Sequence, residues 1–251
     1  MAQAIPAYCM GTFLLHVSLA DELQRMLNSS WWGSKKNGGR SVNWLGWNKV
    51  CAAKEVGGLG FRDLHNFNLA MLGKKRWKFL SNPDALICKV FKAKHYPNGD
   101  FLNAKLGNNP SFVWKSIWSS RVLLEKGIRW KIGDGRKIRV WNEPWLREAS
   151  NMRIESPPLP DMSDFLVHDL MVPGHKEWDV ELLHELFNER DITQITNIPL
   201  VGSNHEDVRI WHSSENQVYT VKSGYKMAMD ISLNAEIQEQ EGWKKLWALK
   251  L

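Results

Sequence analysis

The stretch IRWKIGDGRKIRVW, residues 128–141, decides the fold class. Before it, apolar residues recur at helical spacing; here the period drops to two. Ile128, Trp130 and Ile132 alternate with Arg129 and Lys131, and Ile138 and Val140 alternate with Lys137 and Arg139. Gly133, Asp134 and Gly135 between them are turn residues, so the segment reads as a β-hairpin with one apolar face and four cations on the other. The chain is therefore expected to be α+β: a mostly helical N-terminal half with a β-hairpin, and a smaller mixed C-terminal half.

Working upstream, Pro6 suits the first turn of a helix, and Tyr8, Phe13, Leu14 and Leu15 predict that it is mostly buried. A second helix is expected over 19–28, with Leu23, Met26 and Leu27 on one face and Trp31-Trp32-Gly33 stopping it. Trp44, Trp47 and Val50 fall three apart, as on a helix. The cluster Gly57, Gly58, Gly60 lacks both a preceding strand and a following G-K-[ST], so positive φ or close backbone approach at a turn explains it better than phosphate binding. After it, Phe67, Leu69, Met71, Leu72 and Leu80 predict a helix of about fifteen residues. Two shorter helices come next, the second capped by Ser111.

Working downstream, SPPLPDMSD (156–164) is a proline-rich break and the expected boundary between halves. WDVELLHELFNERDI (178–192) reads as an acidic helix with Glu181, Glu185 and Glu189 along one side. DVRIWHSSENQVYTV (207–221) is a second hairpin candidate, with a helix after it and Ser223 as its cap. The expected regions are 1–80, helical; 81–150, connecting helices and hairpin; 151–200, linker and acidic helices; and 201–251, a small mixed segment.

Composition narrows the function. Of 251 residues, 43% are hydrophobic and 24% charged, as in a folded globular protein, and fourteen are Trp. The net charge of +6 hides a split: residues 1–150 carry 24 Lys and Arg against 10 Asp and Glu, whereas 151–251 carry 9 against 17. A half at +14 attracts polyanions, nucleic acid being the commonest and an anionic membrane surface the second. Docking of the two halves onto each other is the alternative. Cys9, Cys51 and Cys88 are odd in number and far apart, which argues against a disulfide framework or a structural zinc site and for a reducing compartment. With no apolar run long enough to span a bilayer, the expectation is an intracellular protein, nuclear or cytoplasmic, with no membrane partner.

The candidate nucleic-acid contacts are the run Lys74, Lys75, Arg76 and Lys78, with Lys35, Lys36 and Arg40 upstream. Lys92 and Lys94 lie downstream, and Arg129, Lys131, Lys137 and Arg139 form the cationic hairpin face. Phosphate contact and a solvated helix face are the two readings of the first run. The pairs His168/His175 and His205/His212 are each seven apart but have no third ligand nearby, so no metal and no other cofactor is expected. No G-x-S-x-G, H-E-x-x-H or Cys-His arrangement occurs, and nothing points to catalysis.

WWGSKKNGGRSVNWLGWNKVCAAKEVGGLGFRDLHNFNLAMLGKKRWKFL (31–80) resembles the region after the polymerase palm in plant LINE-type (non-LTR) retrotransposon reverse transcriptases. Trp31, Trp32 and Gly33 match its W-W-G. Trp44, Trp47, Cys51, Lys54, Gly57 through Asp63, Phe67, Asn68, Ala70, Leu72, Lys74 and Trp77 match the remainder of that family's pattern. The resemblance runs over residues 4–147. From VRIWHSSENQVYTVKSGYKMAM (208–229) onward the chain is similar to the start of the reverse-transcriptase zinc-binding domain of the same ribonuclease H-like polyproteins. Asn216 replaces a usual glycine there, and His16 replaces a common proline.

The resemblance implies a thumb-like helical region in 1–80 lying against template–primer, with the palm aspartates, the zinc ligands and ribonuclease H outside this sequence. It implies a catalytically inactive fragment that binds RNA–DNA hybrid or duplex non-specifically. Alternatives are a module associating with other retroelement proteins and an expressed remnant without function.

Overall fold

The computed structural model describes residues 7–33, 44–52, 54–148, 150–200 and 205–248, with backbone alone for Val56 and for 235–248. The chain is α+β, and it forms two compact units: 1–126 with 219–251, and 127–218. The first carries 23 Lys and Arg against 11 Asp and Glu, the second 10 against 16, so the charge split survives at +12 and −6.

Helices dominate the first unit: α1 (Ala7–Met10), α2 (Val17–Trp31), α3 (Trp47–Cys51), α4 (Leu64–Ser81), α5 (Leu86–His95), α6 (Phe112–Ser119), α7 (Arg121–Gly127) and α10 (Val221–Ala248). Contrary to expectation α1 is a single turn with only Met10 buried, and Tyr8 and Phe13 are exposed. His16 is the N-cap of α2, and its φ of −62° is one a proline would also adopt. The turn before α4 uses its glycines as expected: Gly57 and Gly60 have φ of +84° and +70°, and a Cβ on Gly58 would lie 2.0 Å from the Ala52 carbonyl oxygen. Asp63 then caps α4, its carboxylate accepting from the Asn66 amide at 2.8 Å. Ser111 caps α6 in the same way.

Buried polar side chains pin these helices. Asn68, fully buried on α4, donates to the carbonyls of Met10 (2.7 Å) and Phe13 (2.9 Å) and accepts the Leu15 amide (2.7 Å). These bonds fix the turn after α1 beside the apolar cluster of Met10, Ala20 and Leu64. Gln24 on α2 accepts the Leu64 amide at 2.8 Å.

The long α10 packs along α4. Its cap is Thr220 rather than Ser223: the Ser223 amide donates to Thr220 Oγ1 (3.1 Å) and the Thr220 amide to Ser223 Oγ (3.2 Å), a reciprocal box. Tyr219 reaches α4 with its hydroxyl, donating to the Ala70 carbonyl at 2.8 Å between two glycines. A Cβ on Gly73 or Gly224 would lie 2.4 or 1.9 Å from that oxygen.

The second unit contains β1 (Ile128–Lys131), α8 (Val180–Leu186), α9 (Glu189–Thr196) and β2 (Val208–Trp211). The expected hairpin does not form. β1 pairs antiparallel with β2, Ile128 opposite Trp211 and Lys131 opposite Val208. Residues 138–140 instead meet 165–167, through Val167 N to Ile138 O (2.9 Å) and Val140 N to Phe165 O (3.0 Å). The alternation itself holds: Ile128, Trp130, Ile138 and Val140 are buried. Nor does 178–192 form one helix, because Asn188 accepts the Asp191 amide at 2.8 Å and starts α9 afresh. The proline-rich stretch 156–164 lies inside this unit, between Ile154 and Val167 of one core built on Trp141, Trp145, Leu170 and Leu183.

Candidate nucleic-acid interface

Successive residues of a helix are about 100° apart, which sorts the basic run of α4. Lys74, Lys75 and Lys78 share one arc, while Arg76 points the other way with Leu72, Phe79 and Leu80. The structure follows that geometry: the three lysines are exposed and Arg76 is 1% exposed. Arg76 donates to the carbonyls of Trp118 (3.2 Å) and Ile117 (3.5 Å) at the end of α6, and its guanidinium lies 4.6 Å from the centre of the Phe101 ring. Burial pushes it down to about 10, partly opposed by Glu125. It is a cap for α6, not a phosphate contact.

On α5, Lys92 and Lys94 are exposed but about 160° apart around the helix, so they serve different surfaces. Lys89 pairs with Asp84 at 3.4 Å. Among the described residues Lys74, Lys75, Lys78, Lys92 and Lys94 have no ion pair. Lys35, Lys36 and Arg40 lie outside the described residues.

The four cations expected on a hairpin face are dispersed by the real pairing. Lys131 is exposed. Arg129 is half-buried with Nε lacking a partner, and burial followed by Arg147 lowers its pKa. Lys137 is bonded to Glu206 at 2.6 Å, which raises its pKa. Arg139 pairs loosely with Asp164 at 3.8 Å.

Two buried carboxylates, neither singled out by sequence, organise the second unit. Asp207 accepts the amides of Gly133 (2.7 Å), Gly135 (2.9 Å) and Lys137 (2.8 Å). Asp191 accepts the amides of Glu155 (3.0 Å) and Ser156 (2.8 Å), the Ser156 hydroxyl (2.7 Å) and Arg190 (2.9 Å). Both are saturated by protein donors. His168 and His175 line an open cavity of about 1000 Å³ together with Arg136, Asp169 and Lys176. No group of three or more metal-ligating side chains occurs among the described residues, and none of their helices is long and apolar enough to cross a membrane.

"Uncharacterized mitochondrial protein AtMg00310" of Arabidopsis thaliana is 35% identical to this chain over 157 residues, which are 62% of the chain and 99% of that protein. The chain belongs to its family. "Putative ribonuclease H protein At1g65750" of the same plant is 26% identical over 231 residues, 89% of this AtMg00310-family chain. The match spans only 37% of that longer relative. No family model matches the chain, and no solved structure does.

Proposed function

We propose that this chain is a retroelement-derived fragment whose first unit holds nucleic acid by its phosphates and performs no catalytic step. The observation that carries the reading is the arc of Lys74, Lys75 and Lys78 on α4, exposed and without ion pairs among the described residues, on a unit of net +12. Phosphate contacts of this kind give affinity without sequence preference. The relative named as a ribonuclease H protein supports a nucleic-acid ligand. Asp191 and Asp207 are engaged by protein donors and so are not candidates for the metal-holding carboxylates that nucleotidyl transfer needs. The finer reading, a slice following the palm of a plant LINE-type reverse transcriptase, rests on the motif from Trp31 to Trp77.

The test is a salt titration of duplex and RNA–DNA hybrid binding by the full chain, beside the variant Lys74→Ala/Lys75→Ala/Lys78→Ala. The expected log–log slope is shallower in the variant by about 2 to 3, close to 0.9 per lost phosphate contact. Weak, salt-independent binding by both proteins would overturn the reading.

A further inference from the structure

Between α4, α5 and α6 the first unit has an apolar cavity of about 200 Å³, walled by Ile87, Cys88, Phe91, Val113 and Ile117 and edged by Lys75 and Lys78. A dry cavity of about 150 Å³ already accommodates benzene, so this one has room for a leucine or phenylalanine side chain. Helical spacing sets Leu86, Val90, Lys94, Ile87 and Phe91 on one continuous arc of α5. Three of these remain largely open to solvent: Leu86 at 79%, Ile87 at 52% and Val90 at 54%. Phe112, next to Val113 of the cavity wall, is 61% exposed. Clustered aliphatic exposure of this kind marks an interaction surface. Nucleic acid would make little use of Leu86, Ile87 and Val90, because bases stack on aromatic faces and phosphates seek cations.

We propose that this groove docks an acidic amphipathic helix of a partner protein. One apolar anchor fills the cavity, its neighbours at helical spacing cover Leu86 and Val90, and flanking carboxylates meet Lys75, Lys78 and Lys94. Charge complementarity selects the acidic partner: Lys89 already has Asp84, whereas the other three lysines have no ion pair among the described residues. Apolar anchors spaced i, i+3, i+4 and i+7 are the usual way a helix enters such a groove. The inference shares Lys75 and Lys78 with the nucleic-acid reading but depends on Ile87 and Val90, which that reading does not use.

The probe is a fluorescein-labelled 18-residue peptide with leucine at those anchor spacings and glutamate elsewhere, titrated with the full chain and followed by anisotropy. Saturable binding is expected. Ile87→Ser/Val90→Ser should weaken it at least tenfold while leaving the duplex-binding salt slope unchanged. Lys75→Glu/Lys78→Glu should weaken it at least fivefold. Thermal unfolding of both variants checks that they fold, which their exposed positions favour. Absence of binding, equal binding by the Ile87→Ser/Val90→Ser variant, or equal binding of a lysine-for-glutamate peptide would each overturn the proposal. So would retention of the chain by phosphatidylserine vesicles without peptide binding.

Discussion

The carboxylate of Asp207 holds the amide of Gly133 at 2.7 Å across 74 residues of sequence, and with the same group holds Gly135 and Lys137. Asp207 is 5% exposed, so its removal leaves three amide donors without their acceptor. Asp207→Ala is expected to cost about 3 kcal/mol or more, and Asp207→Asn less, by the usual cost of orphaned donors and charge-assisted bonds. Urea unfolding would measure the loss, and hydrogen exchange at Gly133 and Gly135 would show whether it is local.

That bond also explains what could and could not be read from the sequence. Every local mark of a hairpin is present at 128–140, and the inward alternation of Ile128, Trp130, Ile138 and Val140 is real. What a local pattern cannot carry is a competitor far along the chain. Asp207 takes the turn amides, and β2 takes the partner role. Arg76 is the opposite case: its place among Leu72, Phe79 and Leu80 at 100° per residue was available in the sequence, and a basic run read as a block concealed it. Asn68 and Gln24 lie between these extremes, since only the fold reveals which backbone groups they complete.

Tyr219 and its two glycines should behave as one unit. Gly73→Ala places a methyl group 2.4 Å from the Tyr219 hydroxyl oxygen and is expected to destabilise by about 2 kcal/mol, within the range for overpacking. Tyr219→Phe removes that oxygen and the bond to Ala70, costing about 1 kcal/mol. In the double variant the nearest ring atom to the methyl is 3.0 Å away, so the combined loss should fall short of the sum. A double-mutant cycle from urea midpoints would test it.

Arg76 and Lys78 should separate stability from binding. Arg76→Ala removes the donor to the Trp118 carbonyl, while Ile117 keeps its bonds from Ser120, and takes a buried cation off the Phe101 face, an expected loss of about 2 to 3 kcal/mol. Where that variant is folded, its nucleic-acid salt slope should equal the parent's. Lys78→Ala should change stability by less than about 0.5 kcal/mol and make the slope shallower by about 0.9.

The first unit should lose stability on the alkaline side. Burial, helped by Asp63, pushes the Cys51 thiol from 9.0 up to about 12, and burial pushes the Tyr225 and Tyr96 hydroxyls from 10.0 up to about 12. Burial raises Tyr219 further still. Raised values in the folded state mean that the stabilisation is whole below the unfolded values and drains away as pH rises toward the folded ones. Urea midpoints should therefore fall from about pH 9 upward, and Cys51→Ala/Tyr225→Phe should flatten the fall. Arg76, held down to about 10, works in the opposite sense above that pH, so the interval from about pH 9 to 10 is the diagnostic one. A midpoint constant across that interval in the parent would contradict the assignment.

The first unit is interrupted in sequence: its helices up to Lys126 wait for Tyr219, Tyr225 and the rest of α10, with the whole second unit in between. On the ribosome this imposes an order. Both strands of the small sheet and the Asp207 clamp leave the exit tunnel before α10 does, so the inserted unit can close first. Meanwhile α4 stands with its Ala70 and Gly73 side uncovered. A pause after the second unit has emerged but before α10 has would leave a basic, sticky, half-built body tethered to a finished acidic one.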